Sequence, residues 1–176
     1  MIIIINMRLF LVILAFSLTT PVFSGESLSL QQALKTAFPK AKRVVRKEIY
    51  LNSGQKKQIE QKHDVKLSGS YYVRYQLFAD SLLQGYAYLD RHIVRSKMQT
   101  ILVAFDSSAN LHRVITVSFE EPAIYEAKPS WLAKLQGQRF NKLKMPAMLG
   151  STITANRIQK SVKSIGAIHS FSLEQK

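Results

Sequence analysis

Residues 100–119 read TILVAFDSSANLHRVITVSF, and the reading of this stretch decides the fold. Two β-branched and aromatic runs, Thr100 to Phe105 and Leu111 to Phe119, flank Asp106-Ser107-Ser108-Ala109-Asn110. The short polar side chains of that middle segment bond their own backbone, which suits a hairpin turn. In the second run Leu111, Ile115, Val117 and Phe119 can share one buried face, interrupted by Arg113. This hairpin is the sheet core. Working back along the chain, Gly85 to Leu89 continues as a strand, and Tyr71, Val73, Tyr75 and Leu77 alternate with Tyr72, Arg74 and Gln76. Val44 to Leu51 adds another strand.

Helical signals flank these strands. Ser29 and Gln32 have the spacing of a capping box, and Leu30, Ala33, Leu34 and Ala37 form one apolar stripe before Pro39. Gln55 to His63 is a polar, helix-prone segment expected on the surface. Pro122 ends the last strand, Pro129 to Leu135 reads as a short helix stopping at Gly137, and Phe140 to Leu149 is a basic connection without a period. The chain closes on an amphipathic helix with Ala155, Ile158, Val162 and Ile165 on one side and Arg157, Lys160 and Lys163 on the other. Gly166 supplies its expected C-terminal stop. This order predicts an α+β fold: one domain with a mostly antiparallel sheet and flanking helices.

The 176 residues have room for one domain, and residues 1–24 do not read as part of it. Arg8, the apolar run Leu9 to Leu18, Pro21 and the small residues Ser24 and Gly25 give the charged region, hydrophobic region and processing site of a signal peptide. Either Met1 or Met7 serves as initiator. A retained anchor is the alternative, but the apolar run is shorter than the roughly 20 residues that span a bilayer. Cysteine is absent, which excludes disulfides and thiolate metal sites. The formal net charge of +14 would ordinarily suggest nucleic acid, but export and the lack of a nucleic-acid motif argue against it. A solvated basic surface, or attraction to anionic headgroups, acidic partners or phosphate, remains. His63, His92, His112 and His169 have no metal-ligand spacing, and no serine lies in a nucleophile-elbow context.

Gly150-Ser151-Thr152-Ile153-Thr154 places hydroxyls at the start of the final helix, where backbone amides favour a phosphate. Together with Lys97-Met98-Gln99-Thr100-Ile101-Leu102-Val103, the hairpin to Val117, Phe119-Glu120-Glu121-Pro122, and Trp131-Leu132 with Gly137, this segment closely resembles the exported FMN-binding domain family. That family includes the periplasmic flavin-carrying subunits of the Rnf complex and of sodium-translocating NADH:quinone reductase, and small stand-alone proteins, which this chain is most similar to. The resemblance covers roughly residues 80 to 165. It divides the mature chain into an N-terminal portion, 25–79, and an FMN-binding core, 80–170.

The resemblance implies FMN carried covalently through a phosphoester to a threonine in a motif S-G-A-T-x-[ST], attached by a separate flavin transferase. By position, Thr152 is the acceptor, Gly150 the motif glycine and Thr154 the following hydroxyl residue. Leu149 stands where serine is usual, Ser151 where alanine is usual and Ala147 where many members have aspartate. Glu121 matches a family glutamate that contacts the flavin or fixes the loop around it; its alternative reading is a surface glutamate ending a strand. Tyr125 and Trp131 either wall the ring or pack in the core, and core packing is favoured for Trp131. Arg157 either reaches the phosphate or is a solvated helix charge. The implied function is an exported, periplasmic electron carrier, not an enzyme with its own substrate pocket, serving a membrane reductase or quinone-linked partner. The alternative is a flavin-free binding or scaffold domain with a decayed motif.

Overall fold

Strands that follow one another in the chain pair side by side, so the sheet is a meander, with one helix inserted between its first two strands. In the computed structural model, which describes residues 27–148 and 150–175, β1 (Arg43–Tyr50), β2 (Tyr71–Ala79), β3 (Leu82–Ile93), β4 (Met98–Asp106) and β5 (Leu111–Phe119) pair antiparallel in chain order. The signal-peptide reading of residues 1–24 and the departure at Leu149 lie outside the described residues. Helices α1 (Leu30–Ala37), α2 (Ser53–His63), α3 (Pro129–Ala133) and α4 (Thr152–Glu174) complete a single α+β domain. The division at residue 79 falls in the β2–β3 turn, so both portions share one sheet. The capping box on α1 is formed, with Ser29 Oγ accepting from Gln32 N and Gln32 Oε1 accepting from Ser29 N.

Asp106 closes the β4–β5 hairpin by accepting from the amides of Ser108 and Asn110, both at 2.9 Å on Oδ1. The two strands are not in simple alternation. Ala104 pairs with Arg113 but Phe105 pairs with Leu111, so His112 is bulged; Val117 is bulged likewise between the partners of Thr100 and Ile101. A bulge exchanges the faces on which later residues fall. The expected common face of Leu111 with Ile115 and Val117 is therefore corrected: Leu111 and Val114 join the core beneath α4, whereas Ile115 and Val117 pack toward α1. Arg113 stands on the α1 side with Ile115 and does interrupt that face, its guanidinium donating to Thr36 O at the end of α1, where a cation is favoured. The His112 ring lies 2.9 Å from Ala37 O.

Helices cover both faces of the sheet. Ala33, Leu34 and Ala37 of α1 pack with Phe38 on Leu77, Ala87, Leu102 and Ala104. On the other face, α4 sets Ile158, Val162, Ile165 and Ile168 against Ile101, Val103 and Phe105. Helix α2 is polar as expected but buries Ile59.

Gly166 does not stop α4. The helix continues eight residues further, to Glu174, because an absent side chain is required there for a different reason: a Cβ would lie 2.2 Å from Phe140 Cγ. The added turns bury Ala167, Ile168 and Phe171, which offsets the roughly 1 kcal/mol cost of a helix-interior glycine. They also explain why Arg74, on the side of β2 that it shares with Tyr72 and Gln76, is buried. Its Nη1 donates to Ser172 O and Oγ, at 3.2 and 2.8 Å, while its guanidinium lies 5.4 Å from the Tyr86 ring centre. His169, in the same turns, stacks on Phe105 at 4.6 Å and sets Nδ1 2.9 Å from the Tyr88 hydroxyl. Burial pushes the imidazole down to about 4 and the phenol up to about 12, so both are neutral at pH 7.

Gly166→Ala tests this contact. Helix propensity alone would make alanine about 1 kcal/mol better, but the clash with Phe140 should reverse the sign and cost about 1–3 kcal/mol in urea denaturation. An unchanged or higher midpoint would show that Phe140 yields easily.

Candidate functional site at the start of α4

Gly150 enters the helix with φ +77°, the left-handed region that side chains disfavour. A Cβ there meets nothing within 4 Å, so within this chain the glycine answers to backbone conformation and not to crowding. The three hydroxyls that follow have different surroundings. Ser151, at the N-cap, is 4% exposed, and its hydroxyl donates to Ile124 O at 3.2 Å without capping the helix. Thr154 is 1% exposed and donates to Tyr125 O at 2.7 Å. Thr152 is exposed.

Those two bonds fasten α4 to the 3₁₀ turn Ala123–Tyr125. The turn is held in its own right by the β3–β4 connection: the Arg95 guanidinium lies 3.8 Å from the Tyr125 ring centre, a cation–π contact. Glu121 anchors that connection. Its Oε1 accepts from Ser96 N at 2.7 Å, Lys97 N at 2.9 Å and Ser96 Oγ at 3.1 Å. The Ser96 and Lys97 amides hold its carboxyl below the usual range, against a smaller opposing effect of burial. These bonds fix the connection that leads into β4.

Trp131 approaches from α3. It is buried in the main core, and its Nε1 donates to the carbonyls of Pro146 and Ala147, both at 3.2 Å. Its visible part is to hold the segment that leads into the hydroxyl turn. Ile124 and Ile153 are large apolar side chains left exposed in the 3₁₀ turn and in the first turn of α4. Arg157, farther along α4, lines the wall of a cleft of about 800 Å³ with Asp90, His92 and Ser161.

Arg95 and the cluster beneath that cleft escape sequence reasoning. His92 Nδ1 lies 2.8 Å from Asp90 Oδ2 and 3.0 Å from Ser161 Oγ, Ser161 also bonds Asp90 Oδ2, and His92 Nε2 lies 3.1 Å from Gln99 Oε1. The available signal was the Asp90-x-His92 alternation on a strand and a serine between apolar positions of α4. The cluster is not a nucleophile triad. Serine and aspartate both address Nδ1, whereas base catalysis needs them on opposite ring nitrogens. Among the described residues there is no group of three His, Cys, Asp or Glu able to hold a metal, and no helix long and apolar enough to cross a membrane. The chain matches no protein-family model and no curated protein.

Glu121→Gln should lower the urea midpoint at neutral pH. Because the folded carboxyl is depressed, its contribution is fully present above the unfolded value of about 4.3 and is lost as pH falls through the folded value. The gap between wild type and variant should therefore close under acid conditions, while the titration of His169 affects both proteins alike. A gap independent of pH would remove the ionised carboxylate from this account.

Proposed function

We propose that the chain is an exported electron carrier holding FMN through a phosphoester on Thr152. The observation that carries this reading is the division of labour among the hydroxyls: Ser151 and Thr154 are buried and bonded to the 3₁₀ turn, and Thr152 faces solvent. A transferase acting on the folded protein needs an accessible oxygen. The resemblance of Gly150-Ser151-Thr152-Ile153-Thr154 to the flavinylation motif supports the same residue.

The helix end also suits a phosphate. Ser151 turns its hydroxyl away, so its side chain caps none of the first-turn amides of α4, and those amides with the helix dipole favour negative charge. Exposed Ile124 and Ile153 offer apolar surface at the same end, suited to the edge of a flavin ring. Bound flavin would supply the one- and two-electron chemistry. The chain's own part is to hold the acceptor turn rigidly, through the Glu121, Arg95–Tyr125 and Thr154 contacts, and to leave the attached group accessible to a membrane reductase or quinone-linked partner.

Thr152→Ala decides between this and a flavin-free scaffold. Co-expressed with a flavin transferase in an export-competent host, the wild type should gain the mass of one FMN and fluoresce on a denaturing gel. The variant should carry none, with stability changed by no more than about 0.5 kcal/mol because the side chain is exposed. An unmodified wild type beside a modified control substrate of the same transferase would favour the scaffold. Flavin on the variant at Ser151 would overturn the choice of acceptor.

A further inference from the structure

A cleft of about 800 Å³ lies between α2, the following loop, β3 and α4. Its wall carries Lys56, Lys66, Arg91, Arg157, Lys160 and Lys163 against two carboxylates, Asp64 and Asp90, and Asp90 is already engaged by His92 and Ser161. Among the described residues none of the six cations forms an ion pair; the carboxylates of Asp80, Glu48 and Glu174 are paired with Lys42, Arg46 and Lys62 instead. Arg157, Lys160 and Lys163 moreover follow one another at intervals of three on α4, a spacing at which like charges disfavour a helix. Unpaired cations gathered around a concavity repel one another and create a field that concentrates anions.

The bottom of the cleft is built of polar groups. His92 and Ser161 line it, tied to Asp90, and His92 is tied in turn to Gln99. Gln99 is fully buried, and its Nε2 has no partner. Reversing the amide would let it donate to a neutral His92 but would leave the amide oxygen unpartnered, so either orientation keeps one polar atom unsatisfied. Gln99 does not line the cleft; it stands behind His92 and reaches the cleft only through it. The volume lies within the range of small-molecule pockets, about 300–1,000 Å³.

We propose that this cleft is a separate binding site for a small polyanion, a compound carrying two or more phosphate or carboxylate groups, held by Arg157 and Lys160 with the lysines of α2 and its following loop. An acidic protein surface is the less suitable occupant, because the cations line a cavity and not a convex or flat face. The proposal does not rest on flavin attachment and is tested on flavin-free chain.

Inorganic pyrophosphate titrated into the isotopically labelled protein should give saturable amide shifts concentrated at Arg91, His92, Arg157 and Lys160. Arg157→Gln with Lys160→Gln should weaken binding by about tenfold or more, the scale expected for losing charge-assisted hydrogen bonds. Lys47→Gln with Lys134→Gln removes the same charge from exposed positions outside the cleft and should change the dissociation constant by less than about threefold, the scale of screened surface charge. Equal weakening in both double variants, shifts spread over the whole surface, or a response to polyglutamate without one to pyrophosphate would each overturn the proposal.

Discussion

The burial of one stripe of α4 governs the rest of the molecule. Ile158, Val162, Ile165 and Ile168 are each at most 1% exposed, and burying four such side chains is worth about 6–12 kcal/mol before chain entropy is counted. That contact sets the axial position and rotation of the helix over β3 and β4. Its first turn, with Thr152, and its polar flank, with Arg157, Lys160 and Ser161, are consequently placed by core residues, of which Ile165 alone also lines the cleft. The same contact carries the helix past Gly166, where α4 and Phe140 approach too closely for any side chain.

At the N-terminal end the fold uses polar contacts where apolar ones thin out. A serine at an N-cap ordinarily accepts from the helix amides, yet Ser151 donates to Ile124 O, and Thr154 donates to Tyr125 O one residue later. Two successive carbonyls of a 3₁₀ turn are thereby satisfied, and the helix amides keep no side-chain cap from Ser151. Glu121 performs the corresponding service for the β3–β4 connection by satisfying two consecutive amides. The hydroxyl turn is held from both sides without covering Thr152.

The antiparallel sheet and the helices were legible because each carried its own period or cap: the alternating hairpin strands, the Ser29–Gln32 box and the stripe from Ala155 to Ile165. What was not legible depended on contacts across the chain. Nothing local distinguishes a helix-ending glycine from one that admits a neighbouring ring, so Gly166 was read as a stop, and the burial of Arg74 and His169 by the added turns followed from that omission. The bulges at His112 and Val117 are set by register against β4, which alternation within β5 cannot reveal. At the candidate site, the hydroxyl motif and the place of Glu121 were visible locally. The pairing of Arg95 with Tyr125 and the Asp90–His92–Ser161 cluster each join residues remote in sequence.

The two proposed sites share α4 but attract negative charge by different physics, and this separates them. At Thr152 the attraction comes from backbone amides at the helix end, acting over the first turn, and the proposed linkage is covalent. In the cleft it comes from long, largely solvent-facing cationic side chains, whose field decays over about 10 Å at 0.1 M ionic strength. Raising salt should therefore release a polyanion from the cleft while leaving an esterified group at Thr152 in place. The strong positive charge of the chain acts on both only through long-range encounter, raising the local concentration of anionic species without selecting among them. Selection belongs to the shapes beneath: an exposed hydroxyl on a held turn in one case, and a cation-lined concavity over a hydrogen-bonded polar floor in the other.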